Sequence, residues 1–324
     1  MPFLITAIVL IVILFVLFII ALLIHNSMFK KRYKPDPLIT LYKKEEFDLI
    51  SEDIEFICGK DTLRGSLYYK DGYDNNTIVV FCHGMWSSIE SYMQDIGYIC
   101  QNGFLVLGFD YTGTNKSDGK NTKGFGQSVK CADSAINYIK SNPKLKDKNI
   151  YVIGHSWGGF AACNIPYYHP DIKKVVAMAP FVSITQLFKG MLSKKLWILI
   201  PFIKLVDMIK VGSYSLRSSL KTFENYKGKV MIVHSKNDHM VNYNRHTMLV
   251  LNKFKDIESI ISDNKYHNPN YSDKAISIML EYSTKTKELK NEELMNYKKN
   301  FDYHTMGELD NEVMDKIILF LKGE

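Results

Sequence analysis

One serine in this chain stands where a serine can be made reactive. Three β-favouring residues, Tyr151, Val152 and Ile153, run into Gly154-His155-Ser156-Trp157-Gly158-Gly159, and a helix-compatible stretch from Phe160 to Tyr168 follows. Strand, sharp turn and helix in that order, with glycines at 154 and 158 letting two backbone segments crowd together, would leave the Ser156 hydroxyl projecting from the turn. A serine hydroxyl is a poor nucleophile at neutral pH, so this chemistry requires a base to take its proton and a third group to orient that base. After Ser156 the chain offers Asp238, in the polar loop Ser235-Lys236-Asn237-Asp238-His239. Two histidines compete for the base: His267, in Tyr266-His267-Asn268-Pro269, and His304, among charged helical segments.

The elements that must position these groups alternate along the chain. Ile54–Cys58 and Leu63–Tyr69 flank Gly59-Lys60-Asp61 and read as a hairpin. Thr77–Cys82 is a continuous apolar run, as expected of a strand covered on both faces, and it ends in His83-Gly84-Met85-Trp86. A helical pattern covers Ile89–Cys100, a strand is predicted over Phe104–Phe109, and Phe125–Lys140 is amphipathic. Further strands are predicted over Asn149–Ile153, Val175–Met178, Val230–His234 and Ile257–Ser262. This alternation predicts an α/β protein, a mostly parallel sheet with helices on both faces. Ligands of such sheets bind beyond the carboxyl ends of the strands, where these loops gather.

From Phe3 to Ile24 there is no charged residue, and the run is long enough to span a bilayer. It lacks the basic start and small-residue cleavage site of a signal peptide, so residues 1–27 are expected to form an uncleaved transmembrane anchor. Lys30, Lys31, Arg32 and Lys34 follow the span, in a basic juxtamembrane linker over residues 28–50. The positive-inside rule then predicts a single-pass membrane protein whose large domain, residues 51–324, faces the cytoplasm. The net charge of +7 is concentrated in the same place. Six of the 41 basic residues and one of the 34 acidic ones precede Glu45, so the remainder carries 35 against 33. A nearly neutral body speaks against a nucleic-acid partner. The five cysteines show no C-x-x-C spacing and read as buried free thiols. No H-E-x-x-H, carboxylate cluster at ligand spacing, G-x-G-x-x-G after a strand or G-x-x-x-x-G-K-[ST] occurs. Neither a metal nor another cofactor is therefore expected.

Gly154-His155-Ser156-Trp157-Gly158 resembles the G-x-S-x-G nucleophile elbow of the α/β-hydrolase superfamily, and the element order from about Asp53 to Leu321 is similar to that family's. The resemblance implies an α/β-hydrolase fold and a serine hydrolase of the esterase, monoacylglycerol lipase or lysophospholipase kind. In that family the acid and the base follow the serine in the order Ser, Asp or Glu, His, each after a strand. By this order Asp238 is the acid, and His267, after the last strand, is favoured over His304 as the base. The resemblance also implies an oxyanion hole made by the backbone N–H groups of Trp157, following the nucleophile, and of Met85, in the loop after the His-Gly strand. His155 and His234 are expected to be structural. Asp110–Ser117 is similar to the family's D-x-R-G-x-G-x-S loop, with Thr112 in place of the Arg and Asn115 in place of the second Gly, and is read as structural.

Between Pro180 and Lys229 the chain is longer than the minimal fold needs, and residues 181–228 are expected to form a helical cap. Leu196–Ile203 is apolar, and Lys204, Asp207 and Lys210 would occupy about a third of a helix circumference. The expected role is a hydrophobic roof over the site, with direct membrane contact as the alternative. Such a roof on a tethered domain suits an ester with an apolar acyl group. The charged helical stretch Tyr271–Asn300 would brace the cap or bind a protein partner, and Glu308–Leu321 would dock as a final helix. The expected function is a membrane-anchored serine hydrolase acting on a carboxylic ester, small or lipid-like. A thioesterase, peptidase or acyltransferase using the same residues, or an inactive membrane-tethered interaction protein, are the alternatives.

Overall fold

In the computed structural model, which describes residues 1–324, the strands are β1 (Ile50–Cys58), β2 (Asp61–Tyr69), β3 (Thr77–Cys82), β4 (Leu105–Phe109), β5 (Asn149–His155), β6 (Lys174–Met178), β7 (Lys229–Ser235) and β8 (Glu258–Ser262). They form a single sheet in the order β1-β2-β4-β3-β5-β6-β7-β8. β1 with β2 and β2 with β4 pair antiparallel, and all the other pairs are parallel. The predicted strands are all present with boundaries shifted by a few residues at most. β3, β4 and β6 are buried along their whole length, which is why their sequences are apolar throughout after Thr77 and Lys174, the first residues of β3 and β6.

The helices are α1 (Pro2–Phe29), α2 (Met93–Gln101), α3 (Gln127–Ser141), α4 (Trp157–Asn164), α5 (Ile184–Met191), α6 (Ile200–Val211), α7 (Ser219–Thr222), α8 (Thr247–Lys253), α9 (Asp273–Glu288), α10 (Asn291–Lys299), α11 (Tyr303–Met306) and α12 (Asn311–Lys322). Two hydrophobic clusters result. The larger holds buried residues of α3 and α4 and of the helical insertion after β6; the smaller includes residues of α2 and α12. Residues of alternate parity on the central strands divide between them, Ile78 and Val80 in the first and Val79 and Phe81 in the second, as the period of two along a strand requires.

α1 is one helix long and apolar enough to cross a membrane. It continues without a break through His25-Asn26-Ser27-Met28-Phe29, and its last turns pack on α6. The basic segment that follows lies on the domain. Arg32 donates to the carbonyl oxygens of Gly119 (2.7 Å) and Asn115, and Tyr33 pairs as an isolated bridge with Thr114. Asp36 meets Lys298 at 2.6 Å, and Tyr42 donates to the His304 carbonyl at 2.9 Å. The helical stretch after β8 thus braces residues 36–46, with Tyr282, Tyr297, Phe301 and Tyr303 forming an aromatic cluster at its centre.

Candidate active site

The strand-turn-helix around Ser156 is built by steric exclusion. β5 ends at His155 and α4 begins at Trp157, so Ser156 alone makes the reversal, with φ 57° and ψ −111°. That conformation costs on the order of 1–3 kcal/mol for a residue bearing a Cβ. The surroundings hold it in place: the Ser156 N–H donates to the Met178 carbonyl of β6 at 2.8 Å. A Cβ at Gly154 would stand 2.2 Å from the Gly158 carbonyl oxygen, and one at Gly158 would stand 1.9 Å from that of Cys82. Only glycine at both positions lets the elbow close against β3.

Ser156, His267 and Asp238, far apart in the chain, meet at the carboxyl ends of β5, β7 and β8. His267 Nε2 lies 2.8 Å from Ser156 Oγ, and its Nδ1 lies 2.7 Å from Asp238 Oδ2. An ionised carboxylate only accepts, so Nδ1 carries the proton, and Nε2 is free to accept from the serine. Asp238 is fully buried, and its other oxygen accepts from the backbone N–H groups of Met240 and Val241, both at 2.8 Å. Burial pushes its pKa up, but the hydrogen bonds from His234 and His267 and from the loop amides outweigh this and hold the carboxyl well below the usual range. The loops are pinned to each other. Asn237 Oδ1 accepts from the Tyr266 N–H at 3.0 Å, and Ser235 Oγ accepts from the Lys265 N–H at 3.0 Å, one and two residues before His267.

Two histidines expected to be merely structural act on these three residues. His234 Nε2 reaches Asp238 Oδ2 at 3.1 Å and the Val241 carbonyl at 3.0 Å, while Nδ1 receives the Thr247 hydroxyl at 2.5 Å. His155 Nε2 donates to the His267 carbonyl at 2.7 Å, and its Nδ1 accepts from the Tyr92 hydroxyl at 2.8 Å, which accepts in turn from the Gly84 N–H. Burial, followed by the proximity of His267, lowers the His155 pKa to about 3, so it stays neutral and can serve as this fixed donor and acceptor. A histidine at the end of a strand, beside Ser156 in one case and before the polar loop holding Asp238 in the other, was the only sequence signal for either. His304 is elsewhere, exposed and paired with Glu46 at 2.9 Å.

Met85 and Trp157 stand beside Ser156 on the wall of a cavity of about 260 Å³. The register of β3 against β5, Cys82 opposite Gly154, brings the loop containing Met85 to the elbow. Neither backbone N–H donates to another group of the protein. The Trp157 indole is held away from the cavity mouth, donating to the Phe125 carbonyl at 2.6 Å. The remaining lining is mainly apolar: Phe125, Phe181, Leu187 and Met191, the last two on α5, with Met240 and Val241 from the loop after β7 and Met28 from α1. No residue of Leu196–Ile203 lines it. That segment packs on α1 instead, and Asp207, which its sequence places on a polar face, is buried and accepts from His25 and from the N–H groups of Phe125 and Gly126. The Asp110–Ser117 loop is internally bonded: Asp110 accepts from the N–H groups of Ile89 (2.9 Å) and Lys116 (3.2 Å), and Ser117 donates to the Asp110 carbonyl (2.6 Å).

A strand–Ser156–helix turn, with His267 and Asp238 in the loops after β8 and β7, and this strand order are the features of the α/β-hydrolase fold. Residues 73–223 match the model of a family described as serine aminopeptidase, S33, a span that contains Met85, Ser156 and Trp157 and ends before Asp238. No curated protein has a detectably similar sequence. Among solved structures, the chain is similar to the esterase Pf2001 of Pyrococcus furiosus, at 18% identity and a TM-score of 0.56 over 80% of this chain and 97% of the other. It is also similar to Est1E of Butyrivibrio proteoclasticus, solved with ferulic acid bound, at 17% identity and a TM-score of 0.56 over 72% and 98%. A third likeness is the α/β hydrolase GrgF of Penicillium sp. sh18, at 16% identity and a TM-score of 0.51 over 78% and 100%. The fold is that of the α/β-hydrolase superfamily, and the chain resembles its esterases.

Proposed function

We propose that this protein is a membrane-anchored serine hydrolase that cleaves carboxylic esters with an apolar acyl group. The observation that carries the reading is the hydrogen-bonded series Ser156–His267–Asp238 at an apolar cavity. In the first half-reaction Ser156 Oγ attacks the ester carbonyl carbon while its proton passes to His267 Nε2. The oxyanion is received by the N–H groups of Met85 and Trp157, each such donor being worth about a hundred- to a thousandfold in rate. Collapse breaks the bond to the alcohol, which leaves with the proton from His267. Water then attacks the acyl-enzyme, gives a proton to His267, and the acid departs as Ser156 recovers its proton. Asp238 keeps Nδ1 protonated and balances the imidazolium charge.

The family whose model matches residues 73–223 is described as an aminopeptidase, and a peptidase is the natural rival. Recognition of a peptide amino terminus needs an acceptor, ordinarily a carboxylate, in the pocket. The cavity is lined by sixteen residues, eleven of them hydrophobic, and none is Asp or Glu. That lining favours an acyl chain. We place the span in α1 and, from the basic residues after it, the catalytic domain on the cytoplasmic side.

The deciding experiment is labelling of the full-length protein with a fluorophosphonate, alongside Ser156→Ala, His267→Ala and His304→Ala. Wild type and His304→Ala are expected to label, and the other two are not. A folded wild type that fails to label and hydrolyses no ester would remove the enzyme reading and leave a tethered interaction protein.

A further inference from the structure

The helix that reads as a tether is also a wall of the cavity. Residues 1–16 of the chain are exposed, whereas from Leu17 onward α1 packs on the domain, with Ala21, His25 and Phe29, four residues apart, fully buried. Phe29 meets the Phe125 ring edge-on at 4.6 Å between centroids. Lys210 of α6 donates to the Asn26 side chain at 2.5 Å. The Met28 side chain lines the cavity, and its carbonyl accepts from the Trp86 indole at 3.3 Å.

These contacts fix how deep the domain can sit. At 1.5 Å per residue, the free part of α1, Pro2 to Val16, is about 22 Å long, short of the roughly 30 Å of a bilayer's hydrocarbon layer. A span of about 20 residues drawn back from Ile24, where the apolar run ends, takes in Leu17 to Ile24 as well. Those residues are already packed against the domain, so its edge reaches the hydrocarbon boundary. Met28 follows Ala21 by roughly 10 Å along the helix and falls at the headgroups. The composition of that edge agrees. Ile209 and Leu205, one turn apart on α6, are apolar and exposed, Ile209 by 66%. At the cavity rim Met240 is 58% and Trp86 53% exposed.

We propose that α1 is part of the substrate-binding site: it seats the domain in the membrane interface, and the acyl chain of a single-chain lipid ester enters the cavity directly from the bilayer past Met28, which sets the chain length accepted. This rests on the hydrolase reading above. A cavity of about 260 Å³ has room for one chain, and an ester at headgroup level stands next to Ser156 without leaving the membrane.

The test uses the full-length protein in zwitterionic phospholipid vesicles, with p-nitrophenyl esters from acetate to dodecanoate. Met28→Trp is expected to lower the ratio of kcat/KM for dodecanoate over acetate at least tenfold, and Met28→Ala to raise it. Independently, Ile209→Cys is labelled with a nitrobenzoxadiazole probe, the five native cysteines being buried. Its fluorescence is expected to be quenched by phospholipid carrying a doxyl group at acyl carbon 5. An unchanged ester ratio in both Met28 variants that still react with fluorophosphonate overturns the proposal, as does an unquenched probe. If wild type neither labels nor hydrolyses any ester, the hydrolase reading falls and the substrate with it, whereas the probe still reports the depth of the domain.

Discussion

His25 of α1 lies 2.9 Å from Asp207 of α6, and neither side chain reaches solvent. The Asp207 carboxylate accepts in addition from the N–H groups of Phe125 (2.6 Å) and Gly126 (3.1 Å), while Lys210 Nζ approaches the other nitrogen of the His25 ring at 3.4 Å. Room for the carboxylate exists only because residue 124 is glycine: a Cβ there would stand 2.3 Å from Asp207 Oδ1. The N-terminal helix α1, α6 and the loop before α3 thus converge on one buried acid. Removing a single partner leaves buried hydrogen-bonding groups unsatisfied, at a cost of about 1–3 kcal/mol each. Asp207→Ala and His25→Leu are each expected to lower the unfolding temperature in detergent and to expose the 181–228 segment to limited proteolysis. Double-mutant coupling near zero would show that the pair does not act as a unit.

The backbone of Ser156 stores strain that glycine would release. Ser156→Gly and Ser156→Ala both remove the hydroxyl, but only the first removes the Cβ that makes φ 57° unfavourable. After glycine's own entropic cost of roughly 0.5–1 kcal/mol, the Gly variant is expected to be more stable than the Ala variant by about 1 kcal/mol. Denaturant titration of the two variants compares them directly.

Asp238 holds His267 in one tautomer, and His234 holds Asp238. Asp238→Asn is expected to lower kcat by about ten-thousandfold, since the amide can present N–H to Nδ1 and reverse the tautomer. His234→Phe keeps Ser156, His267 and Asp238 and removes one of the donors that depress the Asp238 pKa. Being a positioning change, it should lower kcat with little effect on KM and move the acid limb of the pH–rate profile upward. A fall in expression or stability with an unmoved profile would assign His234 to packing alone.

A pH effect on stability is expected from Asp95. This side chain is buried on α2, accepts from Asn270 Nδ2 at 2.7 Å with one oxygen, and has no partner on the other. Burial raises its pKa to about 7. Between about pH 4, where the unfolded chain ionises, and pH 7, the folded protein therefore binds more protons than the unfolded one. Asp95 thus disfavours folding progressively as pH rises through this window. Asp95→Asn, which keeps the acceptor and fills the unpartnered position with an amide, should flatten that decline. Unfolding temperatures of wild type and variant from pH 5 to 8 would show parallel curves if Asp95 plays no part.

Local chemistry made much of this protein legible in its sequence. Strand positions follow from apolar runs because a sheet covered on both faces leaves no polar alternation, and Gly154 and Gly158 announce the elbow because no other residue fits there. Asp238 and His267 were readable only through the order of strands, each lying in the loop after one. The tertiary structure alone decided the rest. His155, Tyr92 and Gly84 brace the backbone of His267 through hydrogen bonds between segments that no spacing rule connects. Asp207 looked like one charge on a polar helix face, and Leu196–Ile203 like a roof, because periodicity shows which residues share a face but not which neighbour covers it. Here the neighbour is α1, more than 160 residues away in sequence, and its apolar residues are too uniform to show the boundary between those that pack on the domain and those that do not. That boundary is set by packing, and it places Met28 in the cavity wall.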